Sequence, residues 1–308
     1  MKQLIEIKQL EPVLYLTWII NNICTNKCSY CPPITHNGTN HHYEWSHAEQ
    51  FIKLLLTKYP RINVAISGGE PTVSPWFRDL VKLFFDNGHA VGMTTNGARS
   101  VRYFDDIAQY MSYIVFSYHP SFEDPTLIDK ALVSAKHTPT CISVMMDSRH
   151  FDKSVEMYHK LCEYEQLTVE PVRITPWIKS TVGCDYTEEQ IKILTSLQSK
   201  KATKGVSPKI KSRIGGTFYY EDGTVDERGD AQDIINKKLT NFQGWQCNIG
   251  LESLFVYFNG IIRTGNCNSS LRIGSLLDID NIQWPSEAVT CPQTFCHCTT
   301  DVYVSKRK

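Results

Sequence analysis

Long apolar runs are missing from this 308-residue chain: none approaches the ~18 residues that cross a bilayer, so no membrane partner is expected. Charge of one sign is missing too. Lys and Arg number 32 against 32 Asp and Glu, so no global field draws in nucleic acid or an anionic surface, and nucleic acid is not expected as a partner. No internal repeat or low-complexity tract is visible, which excludes solenoids and fibrous folds. Residues 1–11 carry Lys2, Glu6, Lys8 and Glu11 and no apolar core, so a signal peptide is not expected. A hydrophobic content of 42% suffices for one large α/β domain and a smaller one.

Cysteine is plentiful. The chain has 11, and most of them cluster towards its two ends, which argues for metal in a reducing compartment more than for disulfides; a cytoplasmic location is expected. Cys24, Cys28 and Cys31 lie within eight residues, C-T-N-K-C-S-Y-C, straight after an apolar run. Three local thiolates suit a four-iron cluster with one iron left open to bind a cofactor or substrate, whereas zinc normally takes a fourth protein ligand. A zinc site completed by His36, His41 or His42 is the competing reading of this stretch.

The pattern around the triplet predicts alternating strands and helices. Strands are expected over residues 14–21, 61–67, 90–94, 113–117, 141–146 and 167–174. Helices are expected over 46–58, capped by Ser46 with Glu49, and over 76–87, 125–135, 153–164 and 187–198. The first strand is expected to begin near residue 13. Such alternation implies βαβ units and a parallel sheet, with reactive groups at the C-terminal strand ends. Gly68-Gly69-Glu70-Pro71, Thr94-Thr95-Asn96-Gly97 and Ser117 all fall at those ends. Residues 200–213 are basic and read as a linker or mobile loop. Asp222-Gly223 and Asn259-Gly260 each read as a hairpin turn, the second as type I′.

At the triplet, with Tyr30 before its last Cys, and at Gly68–Pro71 the chain resembles the radical S-adenosylmethionine (SAM) superfamily. The resemblance implies an open six-stranded (β/α)6 partial TIM barrel and a SAM-ligated [4Fe-4S] cluster on Cys24, Cys28 and Cys31. It further implies reductive cleavage of SAM to a 5′-deoxyadenosyl radical that abstracts hydrogen from a small-molecule, nucleotide or peptide substrate. An electron donor such as flavodoxin or ferredoxin is the implied partner. The SAM contacts it implies are Tyr30 along the adenine, Gly68, Gly69, Glu70 and Pro71 at the amino group, Thr94, Thr95 and Asn96 at the methionine moiety, and Ser117. His119 and Arg173 are weaker candidates for contact with substrate or cofactor. Cys141, Cys162 and Cys184 read as small apolar residues.

Cys247, Cys267, Cys291, Cys296 and Cys298 form the second group. Residues 253–264 form the expected hairpin, which returns Cys267 towards Cys247. Cys296 and Cys298, two apart, are expected to point the same way. This stretch is similar to the SPASM/twitch extension of radical SAM enzymes, although the terminal C-x4-C-x-C is shorter than the full SPASM pattern. The resemblance implies one auxiliary [4Fe-4S] cluster on four of the five thiols, with a structural zinc as the alternative. The expected division is a core over 1–199, a basic connector over 200–240 and a small Cys-rich β-hairpin domain over 241–308. The rival for the whole chain is a non-catalytic iron–sulfur protein that transfers electrons or binds a partner.

Overall fold

The computed structural model describes residues 2–122, 124–176, 181–267 and 269–308. The strands are β1 (Leu4–Gln9), β2 (Leu14–Ile19), β3 (Ile62–Ser67), β4 (Ala90–Thr95), β5 (Tyr113–Tyr118), β6 (Thr140–Met146), β7 (Leu167–Arg173), β8 (Gly216–Tyr220), β9 (Val225–Gly229), β10 (Gln246–Cys247), β11 (Ser253–Val256), β12 (Ile261–Arg263), β13 (Arg272–Ser275), β14 (Val289–Thr290) and β15 (Lys306–Arg307). The α-helices are α1 (Trp45–Lys58), α2 (Phe77–Asp86), α3 (Val101–Ala108), α4 (Leu127–Ser134), α5 (Phe151–Cys162), α6 (Glu188–Ser196), α7 (Ala231–Asn236) and α8 (Thr299–Tyr303). No helix among the described residues is long and apolar enough to cross a membrane.

Strands β2 to β7 pair in parallel in sequence order, as the βαβ pattern predicts. The sheet stays open, with β13 and β7 at its edges. Alternation along β2 serves two cores: Leu14, Leu16 and Trp18 face the helices, while Tyr15 packs with Val13, Cys247, Ile249 and Val304. Trp18 meets Phe51 of α1 edge-to-face at 5.8 Å, and its indole N–H donates to the Tyr43 hydroxyl at 2.8 Å. That bond anchors the connector between the cysteine loop and α1.

Four expectations are corrected. A strand, β1, precedes β2: it pairs with β8 and with β15, partners far away in sequence, so no local pattern announced it. The expected cap of α1 shifts to Glu44 with His47, because the helix starts at Trp45, one residue early. The Asn259-Gly260 turn is not type I′: Gly260 alone takes positive φ (80°), and its N–H closes on the Tyr257 carbonyl, a type I turn followed by a left-handed glycine. The hairpin also does not stand apart. β11 pairs in parallel with β2 and extends the main sheet to nine strands, while β1 joins a second, six-stranded sheet with β8, β9, β10, β14 and β15. Sheet pairing therefore crosses the expected boundaries at residues 199 and 240.

Candidate functional site

The cysteine loop and the Gly68–Pro71 loop are stitched together by backbone. Gly69 N–H donates to the Asn21 carbonyl at 2.9 Å and Glu70 N–H to the Ile23 carbonyl at 2.7 Å. Asn21, buried at the end of β2, donates its side-chain amide to the Glu70 carbonyl and the Ser74 hydroxyl, both at 3.0 Å. The approach is so close that a Cβ on Gly68 would stand 2.6 Å from the Asn21 oxygen and one on Gly69 2.2 Å from the Ile23 oxygen. Only glycine fits at these two positions.

Glu70 is held mainly by the protein itself. Its side chain does not reach into the cavity; it is fully buried. One carboxylate oxygen accepts from Thr72 N–H (3.0 Å), the Thr72 hydroxyl (2.6 Å) and the Thr95 hydroxyl (2.8 Å), and the other accepts from Asn96 N–H (2.7 Å). Burial raises its pKa, and these four donors oppose that. Glu70 is thus a bracket that fixes the loops after β3 and β4 against each other. Pro71 is buried as well and starts the next turn.

What those loops enclose is a cavity of about 160 Å³ lined by Cys24, Cys28 and Cys31, with Gly68, Gly69, Thr94, Thr95, Asn96, Ser117, His36 and His119. The Asn96 amide donates to the Cys24 sulfur at 3.4 Å and to the Thr25 hydroxyl at 3.0 Å. His119 Nδ1 lies 2.6 Å from the Tyr30 hydroxyl and 3.5 Å from the Cys28 sulfur. Burial pushes the His119 pKa down to about 4, so at neutral pH its ring is uncharged, and its Nδ1 shares a hydrogen bond with the tyrosine hydroxyl. Tyr30 is itself buried and stacks beside His119, 6.0 Å between ring centres. Arg173 sits over the Tyr186 ring at 5.3 Å.

Burial raises the Cys24 pKa, whereas a hydrogen bond between Cys28 and Cys31 raises the first and lowers the second. No three His, Cys, Asp or Glu side chains among the described residues stand at metal-holding separation, so the thiols line the cavity without already facing one centre. Two buried polar atoms on the same wall, Asn96 Oδ1 and His36 Nδ1, have no hydrogen-bond partner. A soft donor set beside unpaired polar atoms and glycine-walled space fits an iron–sulfur cluster with a polar ligand.

Sequence reasoning missed Asn21 and Lys130. Lys130 is buried on α4, and its ammonium donates to the Gly97 carbonyl at 2.7 Å and pairs with Asp124 at 2.6 Å, pinning the loop after β4. A lysine within a helix carries no local signal of such a role. Cys184 packs in one small cluster with Cys28, Tyr30, Cys31 and Met145, nearer the site than its isolated position suggested.

The second group of thiols lines a larger cavity, about 410 Å³, to which Cys247, Cys267, Cys291 and Cys296 all contribute, with Asp301 and Lys306. Cys298 does not line it. It is the N-cap of α8, with extended backbone, and α8 begins at the next residue. Burial pushes Cys267 up to about 11, Cys296 up to about 12 and the Asp301 carboxyl up to about 6. Lys306 is buried below, donating to the carbonyls of Asp301 (2.8 Å), Val302 (2.7 Å) and Val304 (2.5 Å).

With this geometry in place, comparison with known proteins gives one family. Residues 18–167, just under half of the chain, match the Radical SAM superfamily. A match to that superfamily implies a [4Fe-4S] cluster and SAM. The fold resembles Streptococcus suis SuiB: bound to SAM, it is 14% identical with a TM-score of 0.51 over 87% of this chain and 65% of that one. Bound to its precursor peptide SuiA, the figures are 13%, 0.52, 88% and 64%. GTP 3′,8-cyclase of Pectobacterium atrosepticum is 32% identical over 101 residues, 31% of this chain and 30% of that protein. The same enzyme from Photorhabdus laumondii subsp. laumondii is 30% identical over 101 residues, 31% and 29%. The chain thus spans under a third of the curated relatives it matches.

Proposed function

We propose that the protein is a radical SAM enzyme whose catalytic cluster sits on Cys24, Cys28 and Cys31. The observation that carries this reading is the shared cavity: three thiols, two close-packed glycines and two unpaired polar atoms converge at the C-terminal ends of β2, β3, β4 and β5. When bound there, the cluster and SAM supply reductive cleavage of the sulfonium and a radical able to abstract hydrogen from a small-molecule, nucleotide or peptide substrate. An electron donor such as flavodoxin or ferredoxin is the partner this chemistry calls for.

The residues supply position and exclusion. Gly68 and Gly69 leave backbone carbonyls and space for an ammonium group. Asn96 lines the same cavity and holds a buried amide oxygen without a partner. Thr94 and Ser117 line the wall beside it, and Glu70, through Thr95 and Asn96, keeps those groups from shifting. His119 and Tyr30 close the side next to Cys28 with a neutral hydrogen-bonded pair.

For the C-terminal group the proposal is one auxiliary [4Fe-4S] cluster on Cys247, Cys267, Cys291 and Cys296, supported by their common cavity, with Cys298 spare. Anaerobic reconstitution tests both sites. The Cys24/Cys28/Cys31 triple-Ala chain should retain roughly four irons with sulfide, and the wild type roughly eight. In the wild type, SAM should change the paramagnetic spectrum of the reduced protein. One zinc without sulfide in the variant overturns the auxiliary cluster; a spectrum indifferent to SAM overturns the enzyme.

A further inference from the structure

The basic stretch over residues 200–213 is not used by the site above. Part of it folds against the opposite end of the main sheet, where β3 and β4 begin, and closes a cavity of about 400 Å³. Four cationic residues line this space, Arg61, Lys209, Lys211 and Arg213, and no carboxylate does among the described residues. A single acid, Glu11, stands behind them: it pairs with Arg61 at 2.7 Å and with Arg213, and so holds both guanidiniums at the rim. Lys209 and Lys211 have no acidic partner among the described residues.

A second, independent feature points to a ligand. Asn63 lies on β3 with only 5% of its surface exposed, and it lines the same cavity. Its side-chain oxygen accepts from Arg213 N–H at 3.4 Å, but its Nδ2 donor, also buried, has no partner. An unpaired buried donor is costly unless something supplies the acceptor. Here it shares the cavity with four cationic residues, one of which, Lys209, rests its ammonium 5.8 Å from the Phe85 ring, so the acceptor that suits it carries negative charge and several oxygens.

From this we infer that the cavity is a binding site for the phosphate group of a small phosphorylated molecule, separate from the SAM cavity. Its volume falls within the range of small-molecule pockets. Arginine forks and lysine point charges recognise phosphate oxygens, and the Asn63 amide adds one donor from the floor. A monocarboxylate would leave most of the positive charge uncompensated.

Calorimetric titration of the reconstituted full chain with inorganic pyrophosphate and, separately, with adenosine monophosphate tests this. The expected result is saturable binding of one equivalent of at least one probe, weakened several-fold at about 150 mM salt because the cations are exposed. Lys209→Glu with Lys211→Glu should weaken it roughly tenfold or more while cluster absorbance is unchanged. Asn63→Ala should weaken it less, and the Cys24/Cys28/Cys31 triple-Ala chain should bind as the wild type does. Tighter binding of adenosine monophosphate than of pyrophosphate supports a nucleotide; the reverse order supports a diphosphate end. Binding of neither probe, or binding unmoved by the double charge reversal, overturns the inference.

Discussion

The two thiol sites are built in opposite ways. Cys24, Cys28 and Cys31 come from one eight-residue loop, and the sheet around it supplies neighbours from the ends of successive strands. Cys247, Cys267 and the pair Cys291 and Cys296 come from three separated segments brought together by β10, β14 and the chain's last strand, β15. A local site survives as long as its loop keeps its shape. A site assembled from distant segments depends on the sheet beneath it, so damage far from its thiols should reach them.

That contrast orders the expected effects. Glu70→Ala should be the most harmful single change: it strips the partner from two backbone N–H groups and two hydroxyls in a dry interior, about 4 kcal/mol of stability by denaturant titration. SAM binding should fall with it, although the side chain does not line the cavity. Retained stability with lost SAM affinity would instead make Glu70 a direct contact. Next comes Gly69→Ala, at roughly 3 kcal/mol, because its Cβ would collide with the Ile23 carbonyl. It should spare the C-terminal site.

Lys306→Met sharpens the comparison from the other side. Three carbonyls lose their donor, about 2 kcal/mol, and iron retention by Cys247, Cys267, Cys291 and Cys296 should drop while the N-terminal cluster stays. Equal iron loss from both sites would break the distinction.

The smallest effect is with acid. Burial raises the Asp124 pKa, but hydrogen bonds from Lys130 and Thr126 outweigh it and leave the carboxyl below its usual value. Such a group contributes stability above its unfolded pKa of about 3.9 and loses it as pH falls through the lower folded value. Because Asp124 is partly exposed, about 1 kcal/mol is expected. Urea titration of the metal-free chain should show this acid loss, and Lys130→Met should shrink it, leaving the part that Thr126 supplies.

The same contrast explains what was legible in the sequence. The six parallel strands announced themselves, because each apolar run ends at a punctuating motif within its own segment. Cys24, Cys28, Cys31 and the two glycines were legible for the same reason. Glu70 was visible, but its buried bracket between the loops was not, since a motif shows that a carboxylate is needed and not which way it faces. β1 was invisible because its partners lie far along the chain: Ile7 pairs with Lys306 and with Phe218. Which of the five C-terminal thiols is spare was not legible, because the spacing alone does not say which of them share a cavity.

The most direct test of the central claim is 5′-deoxyadenosine production. The reconstituted wild-type chain, reduced anaerobically with SAM, should release it, and the Cys24/Cys28/Cys31 triple-Ala chain, still holding iron at its C-terminal thiols, should release none. Equal release from both chains, or none from a fully loaded wild type, would contradict the account.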